Sequence, residues 1–255
     1  MLTTLWSSRS GLNANQEKLN VISNNMVNAN TTGYKKIEVG FRDLLKSSLN
    51  ELGNPLNDKT ATVGSGVRTG NYTTNNTQGS LLTTNQSTDL AIDGEGYFRV
   101  FSGDGTSYYT RDGEFKIDSA GRLVNNSGYI LDVQYTNGFS AQNTGLTSSN
   151  FTVNKGGEIF ITENGQYTKV GDIALYTAVG NDALVSVGDN LYKELNGVQV
   201  YRTLNGDICQ GYLEGSNVDL SEEMTELIVT QRAFQLSSKG ITTADEMWGM
   251  INNLR

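Results

Sequence analysis

Residues 2–29, LTTLWSSRSGLNANQEKLNVISNNMVNA, place Leu5, Leu12, Leu19 and Met26 seven residues apart. The stretch holds no proline and a single glycine, Gly11, so nothing in it stops a helix. A seven-residue period keeps one apolar line on one side of a helix, a seam suited to packing against another helix. Ile22 and Ala29, three residues after Leu19 and Met26, supply a second line. Asn13, Asn15, Asn20, Asn24, Asn25 and Asn28 occupy other positions, and asparagine is a weak helix former. Such a helix is marginal alone in water and relies on packing.

The same period returns at the far end, in Leu220, Leu227, Phe234, Ile241 and Trp248. Asp219 followed by Glu222 reads as a capping box, and Glu223 and Glu226 add negative charge near the positive end of the helix dipole. This helix is expected to run to about Leu254, with Gly240 and Gly249 inside it. Two core helices of an ordinary α+β protein would show the same periodicity. Their placement at opposite ends of the chain, around a β-region with its own apolar residues, favours a coiled-coil-like pair projecting from a β-module.

Between the ends the pattern changes. Asn30-Thr31-Thr32-Gly33 is a turn cluster that stops the first helix. Phe41–Leu52 is amphipathic and is expected to form a short helix ending at Gly53-Asn54-Pro55. Asn57–Ser87 is polar, carries Gly64, Gly66, Gly70 and Gly79, and is expected as extended chain laid along something else. From Asp89 to Leu195 short apolar runs alternate with turn signals: Leu90–Ile92, Tyr97–Phe101, Phe115–Ile117, Leu123–Val124 and Tyr129–Val133. Asn164-Gly165, after the alternating Ile159 and Ile161, is a favoured hairpin turn. Strands at this spacing indicate a small antiparallel barrel or sandwich. Gly211–Asn217 reads as a last turn region before the final helix.

Composition narrows the function. Apolar residues make up 36% of the 255-residue chain, which fits several thin modules better than one thick globule. The net charge of −8 and the scattered Lys and Arg argue against a nucleic-acid binder. There is no histidine, which removes the commonest general base and metal ligand together. One cysteine, Cys209, excludes an intramolecular disulfide and a thiolate metal cluster. No stretch approaches the roughly 18–20 apolar residues of a membrane span, and Met1–Gly11 lacks the regions of a cleavable secretion signal.

The motifs that suggest chemistry read better as structure. Gly64-Ser65-Gly66-Val67-Arg68-Thr69-Gly70 lacks the Lys-Ser/Thr of a phosphate loop and the dinucleotide spacing. The Asp-Gly pairs at Asp93, Asp104 and Asp112 lack the alternating carboxylates of a calcium loop and suit β-turns. Glu222, Glu223 and Glu226 suit a helix cap, and Cys209 has no histidine partner. No catalytic constellation, metal site or cofactor site emerges.

Asn24-Asn25-Met26-Val27-Asn28-Ala29-Asn30-Thr31-Thr32-Gly33-Tyr34-Lys35 closely resembles the N-terminal signature of the bacterial flagellar rod and hook proteins, with Val27 where that family more often has Ala. Phe41-Arg42-Asp43-Leu44-Leu45, Gly64–Arg68, Asp93–Phe98, Tyr109–Phe115 and Asp189–Tyr192 also resemble family blocks. At the far end Gly211–Leu220, with Ser216, Asn217 and Val218 at its centre, and Gln231-Arg232-Ala233-Phe234 resemble the C-terminal signature. Within the family the chain looks most like distal-rod members, with proximal-rod and hook-type members next. The stretch after Leu49 is shorter than in members with a long insertion there.

The resemblance implies an α+β chain in three parts. Residues 1–31 with 219–255 would form the terminal helix pair of a rod core, 32–88 with 196–218 an extended connector, and 89–195 an outer antiparallel β-domain. It implies a structural subunit, not an enzyme, that polymerises with itself into a helical tube carrying torque from motor to hook. Other rod subunits, the hook protein, surrounding rings and the flagellar type III export apparatus would be its partners in the basal body. Nucleic acid, membrane insertion and cofactors play no part. A β-rich adhesin or phage-tail-like subunit would explain the Asn/Thr/Gly-rich centre but not both signatures. The assembly seam is expected at Leu5, Leu12, Leu19, Ile22, Met26, Leu220, Leu227, Phe234, Ile241 and Trp248.

Overall fold

The computed structural model describes residues 2–44, 46–48, 62–136, 138–140, 142–163, 165–180, 183–195 and 197–253. Two helices and a set of antiparallel strands make an α+β chain that divides into two compact units. One unit comprises Met1–Val27, Ile37–Thr73 and Asp219–Arg255; the other comprises Asn28–Lys36 and Thr74–Val218.

In the first unit, α1 spans Leu2–Val27 and α2 spans Leu220–Asn253. Asp219 caps α2: its Oδ1 accepts from Ser221 N at 2.8 Å and Glu222 N at 3.3 Å, satisfying two of the orphan amides of the first turn. The helices run antiparallel, since Ser8 meets Gly240, Gly11 meets Ser237 and Lys18 pairs with Glu226 at 2.7 Å. A Cβ on Gly11 would lie 3.3 Å from Ser237 Oγ, and one on Gly240 would lie 2.5 Å from Ser8 Oγ. Side chains at the two glycines would therefore press on the serine side chains that face them. No described helix is long and apolar enough to cross a membrane.

The short helix expected over Phe41–Leu52 is overturned in its described part. Ile37–Asp43 is a strand paired with Val67–Thr74, and Lys46–Ser48 pairs with Thr62–Gly64. A ladder to a segment some 25 residues later outcompetes the weak local helical preference. The expected stop at Gly53-Asn54-Pro55 lies outside the described residues. The polar stretch that follows is extended where it is described. Ser10 Oγ, on α1, accepts from Val67 N at 3.2 Å, and Thr69 Oγ1 donates to Glu17, tying this ribbon to the helix.

The second unit holds a nine-stranded and a four-stranded antiparallel sheet with two smaller two-stranded ladders. One core joins both large sheets, with Leu90, Ile92, Phe98, Val100, Ile159 and Ile173 almost fully buried. The single strand expected at Tyr129–Val133 divides at Asp132: Ile130–Leu131 belongs to the larger sheet and Val133–Tyr135 to the smaller. Glu163 pairs with Gln166, and Gly165 between them is at φ +79°; Asn164 of the expected hairpin turn lies outside the described residues. Gly211–Asn217 is not only a turn. Tyr212–Glu214 is a strand paired with Leu81–Thr83, and Gly206–Gln210 pairs with Leu90–Gly94. β-structure thus continues well past Leu195.

Candidate assembly interface

The leucine lines sit beside, not at, the closest approach of the two helices. On α1 the buried residues are Ala14, Ile22 and Asn25, while Leu5, Leu12, Leu19 and Met26 are half-buried. On α2 the buried residues are Glu223, Thr230 and Ala244, three residues after Leu220, Leu227 and Ile241. Leu227, Phe234 and Ile241 are half-buried, and Leu220 and Trp248 are 41% and 47% exposed. Apart from Ile22, the buried side chains of the contact are small or polar. The wider apolar residues are displaced to its flanks, where Met224, Ile228, Leu236 and Met250 are exposed as well. Gln231 and Arg232 face solvent, and Arg232 Nη1 donates only locally, to Gln235 Oε1 at 3.1 Å.

The signature residues near Asn24–Lys35 divide between the units, and each group closes a polar clasp. In the helical unit Asn25, 1% exposed, uses its side-chain amide twice on the backbone of one residue, Ile37. Nδ2 donates to Ile37 O at 2.9 Å and Oδ1 accepts from Ile37 N at 3.0 Å. Nδ2 also donates to Glu223 Oε2 at 3.3 Å, which joins the end of α1 and the start of the ribbon to α2. Asn24, its neighbour, is exposed.

In the β-unit the centre is an ion triad. Glu214 Oε1 accepts from Lys35 Nζ at 2.6 Å and from Gly79 N at 3.0 Å, and its Oε2 accepts from Arg111 Nη1 at 3.0 Å. All three residues are at most 4% exposed. Desolvation dominates at Lys35 and holds its ammonium below its ordinary pKa, although Glu214 pulls the other way. Gly33 N donates to Glu214 O at 2.8 Å, with Gly33 at φ +69°. A Cβ there would come within 2.6 Å of Asp112 N, so the position accepts only glycine.

Around this centre Thr32 Oγ1 donates to Asp112 Oδ1 at 3.0 Å, and Asn190 Nδ2 donates to Thr32 O at 2.7 Å. Burial raises the pKa of the Asp112 carboxyl. Asn217 Oδ1 accepts from Lys36 N at 2.7 Å while its Nδ2 donates to Asn75 O at 2.9 Å and Thr77 O at 3.0 Å. Thr31 Oγ1 donates to Asn28 Oδ1, and Val218 N donates to Ser216 Oγ, closing the turns on either side. Tyr34 is buried, and Ala29 is half-buried.

Sequence reasoning singled out Lys35 and Asn217 but not Glu214, Arg111, Glu223 or Asn190 as members of these clasps. Glu214, Arg111 and Asn190 lie in blocks that carry the resemblance and Glu223 just after one of them; for Glu214 and Arg111 the signal available was a charge inside a turn-rich block.

Three family profiles match in chain order: flagella basal body rod protein over residues 5–35, the flagellar hook protein FlgE/F/G D1 domain over 91–166, and the flagellar basal body rod FlgEFG protein C-terminal region over 210–254. The chain is similar over its whole length to the flagellar basal-body rod protein FlgG of Buchnera aphidicola, 37% identical with 100% of both chains covered. It is 37% identical to FlgG of Bacillus subtilis and 35% identical to FlgG of Borreliella burgdorferi, covering 100% and 99% of those proteins. The blocks that carry these matches are the ones the Asn25, Asn217 and Lys35–Glu214–Arg111 clasps tie together, and the chain belongs to the flagellar basal-body rod FlgEFG family, as a structural subunit of the basal body.

Proposed function

We propose that the chain is a distal-rod subunit that polymerises with itself into a helical tube and transmits torque from motor to hook. The observation that carries this reading is the apolar surface left on the helical unit. Met224, Ile228, Leu236, Trp248 and Met250 are each about half exposed or more, far beyond the scattered apolar residues of an ordinary surface. The half-buried Leu5, Leu12 and Leu19 line and the Leu227, Phe234 and Ile241 line would make coiled-coil-like contacts with neighbouring copies. Residues 1–31 with 219–255 would form the tube's core, with the β-structure outside and the connector bracing neighbours. Heterologous contacts that do not close on themselves extend into such a helical polymer.

Other rod subunits and the hook protein would adjoin the polymer, surrounding rings would enclose it, and the subunit would arrive through the type III export apparatus. The full-length FlgG relatives favour the distal position. A proximal or hook-type position is the second reading, favoured by 30% identity over the whole chain to the flagellar hook-basal body complex protein FlhP of Bacillus subtilis.

Removing residues 1–27 and 219–255 tests the polymer reading. The remaining β-unit should stay folded by circular dichroism and no longer polymerise; continued polymerisation would sink the reading. Ile228→Glu in the full chain should leave the monomer's secondary structure intact and abolish polymer growth. Deleting the gene and imaging basal structures tests the position, because a complete hook and filament in that strain would rule out a rod role.

A further inference from the structure

The helical unit carries a groove and, further along one of the helices that line it, an uncovered helix face of matching chemistry. The groove, about 440 Å³, is lined by Gly11 and Ala14 of α1, Phe41 and Val67 of the ribbon, and Leu236 and Ser237 of α2. Among the described residues no charged side chain lines it. Ser237 Oγ already donates to Ala233 O at 3.0 Å, so the groove offers an occupant mainly apolar contact. Phe41 and Leu236 are 45% and 69% exposed, an apolar rim left open to solvent. The matching face is on α2. The side of α2 that meets α1 passes through Ser237, Gly240 and Ala244, in steps of three and four residues. The same steps lead on to Met247, Trp248 and Ile251, which are 44%, 47% and 47% exposed. The packing face of α2 therefore continues beyond the stretch that α1 covers.

Resting on the reading of the chain as a self-polymerising subunit, we propose that the groove of one copy takes the Met247, Trp248 and Ile251 face of the next, head to tail. Two observations select a second copy as the occupant. The first is chemical: the groove is uncharged and small-floored, and every copy supplies an uncharged face whose earlier turns pack on Ser8 and Gly11 of α1. The second is geometric. Leu236 and Trp248 are on one continuous helix, about 18 Å apart along its axis, so a copy cannot fill its own groove with its own face. Each copy that joins thus leaves a groove open at one end and a face at the other, and growth continues.

The test uses two full-length variants. Asn15→Trp blocks the groove it lines, because a side chain there leans back toward Gly11, and Trp248→Ser removes the centre of the face. With circular dichroism unchanged, each alone should need at least about tenfold more protein than the unaltered chain to grow polymer. Ser7→Trp, also in the groove lining, and Ile251→Ser serve the same purposes if either variant fails to fold. Mixed one to one, at a concentration where neither grows, the two should form a heterodimer by sedimentation velocity and nothing longer. The Asn15→Trp chain lends its face to the open groove of the Trp248→Ser chain, and no second union is left to make. Growth of either variant at the concentration the unaltered chain needs, or no heterodimer in the mixture, would overturn the proposal and leave the polymer reading standing. An unaltered chain that stays monomeric or stops at dimers would overturn the polymer reading, and the head-to-tail contact with it.

Discussion

Glu214→Gln should be the most destabilising near-isosteric substitution in the β-unit. The glutamine keeps the shape but removes the charge that two buried cations share at 2.6 and 3.0 Å. Removing one partner of a buried ion pair costs about 3–5 kcal/mol, because the charge left behind has neither water nor a counter-ion. Lys35→Met makes the opposite change. It leaves Arg111 and Glu214 as a one-to-one pair, and Thr77 O, which Lys35 also supplies at 2.8 Å, keeps its bond from Asn217 Nδ2. Its cost is therefore nearer that of a lost charged hydrogen bond, roughly 1.5–3 kcal/mol.

At roughly 2–4 °C per kcal/mol for a unit of this size, Glu214→Gln should lower Tm by roughly 6–20 °C and Lys35→Met by less. The two tryptophans, Trp6 and Trp248, are on α1 and α2, and eleven of the twelve tyrosines, all but Tyr72, are in the β-unit, so near-ultraviolet circular dichroism of the tyrosines follows mainly the β-unit and tryptophan fluorescence the helices. The reasoning fails if Lys35→Met costs more than Glu214→Gln, or if Glu214→Gln shifts the tyrosine transition by less than about 1 kcal/mol.

Burial raises the pKa of Tyr97, Tyr109, Tyr135, Tyr176 and Tyr192 above the ordinary 10.0, so each contributes stability that is complete below pH 10.0 and is lost as pH rises through its folded value. Lys35, lowered from 10.5, adds stability as pH rises toward 10.5, but it is one group against five tyrosines. Denaturant midpoints should therefore fall above pH 10, with tyrosinate absorbance at 295 nm appearing together with unfolding; stability level to pH 12 would contradict this. Gly33→Ala should destabilise by more than about 2 kcal/mol, from the φ of +69° and the clash with the Asp112 backbone, as read by urea unfolding. Asp189 and Asn190 sit at φ +51° and +56° in a hairpin turn. Asp189→Gly should be neutral or stabilising by up to about 1 kcal/mol, whereas Asn190→Gly, which loses the bond to Thr32 O, should destabilise by about 1 kcal/mol in the same assay.

What could be read from the sequence follows the range of each interaction. The C-terminal end of α1 and the cap at Asp219 depend on residues within a few positions of one another, and propensity and turn chemistry place them. Phe41–Asp43 and Tyr212–Glu214 could not be read this way, because their ladders come from Val67–Thr74 and Leu81–Thr83. The leucine period identified a helix with one apolar stripe but not the partner that stripe meets. Gly11, Ser237 and Gly240 decide the meeting face, and their signal is the absence of a side chain. The triad was hidden for a related reason: Lys35, Arg111 and Glu214 look like surface charges singly and become a buried site only when three distant segments converge.

The contrast between the units bears on when the helices acquire their stability. The β-unit closes on itself, with an apolar core and a buried triad. The helical unit instead places Asn25, Glu223 and Thr230 inside beside Ala14, Ile22 and Ala244, and leaves Ile228, Leu236 and Met250 outside. Covering a half-exposed side chain of this size returns about 1 kcal/mol, so covering Met224, Ile228, Leu236, Trp248, Met250 and Ile251 returns several. That is comparable to the whole net stability of a domain, about 5–15 kcal/mol. Contact with neighbours would therefore decide whether α1 and α2 hold, and their stability would rise with subunit concentration while that of the β-unit would not. Ile228→Glu separates the two contributions. It should leave the tyrosine transition of the β-unit and the tryptophan transition of the dilute chain where they are, and remove the dependence of the tryptophan transition on concentration. If that dependence survives Ile228→Glu, the exposed face of α2 is not what neighbouring copies cover.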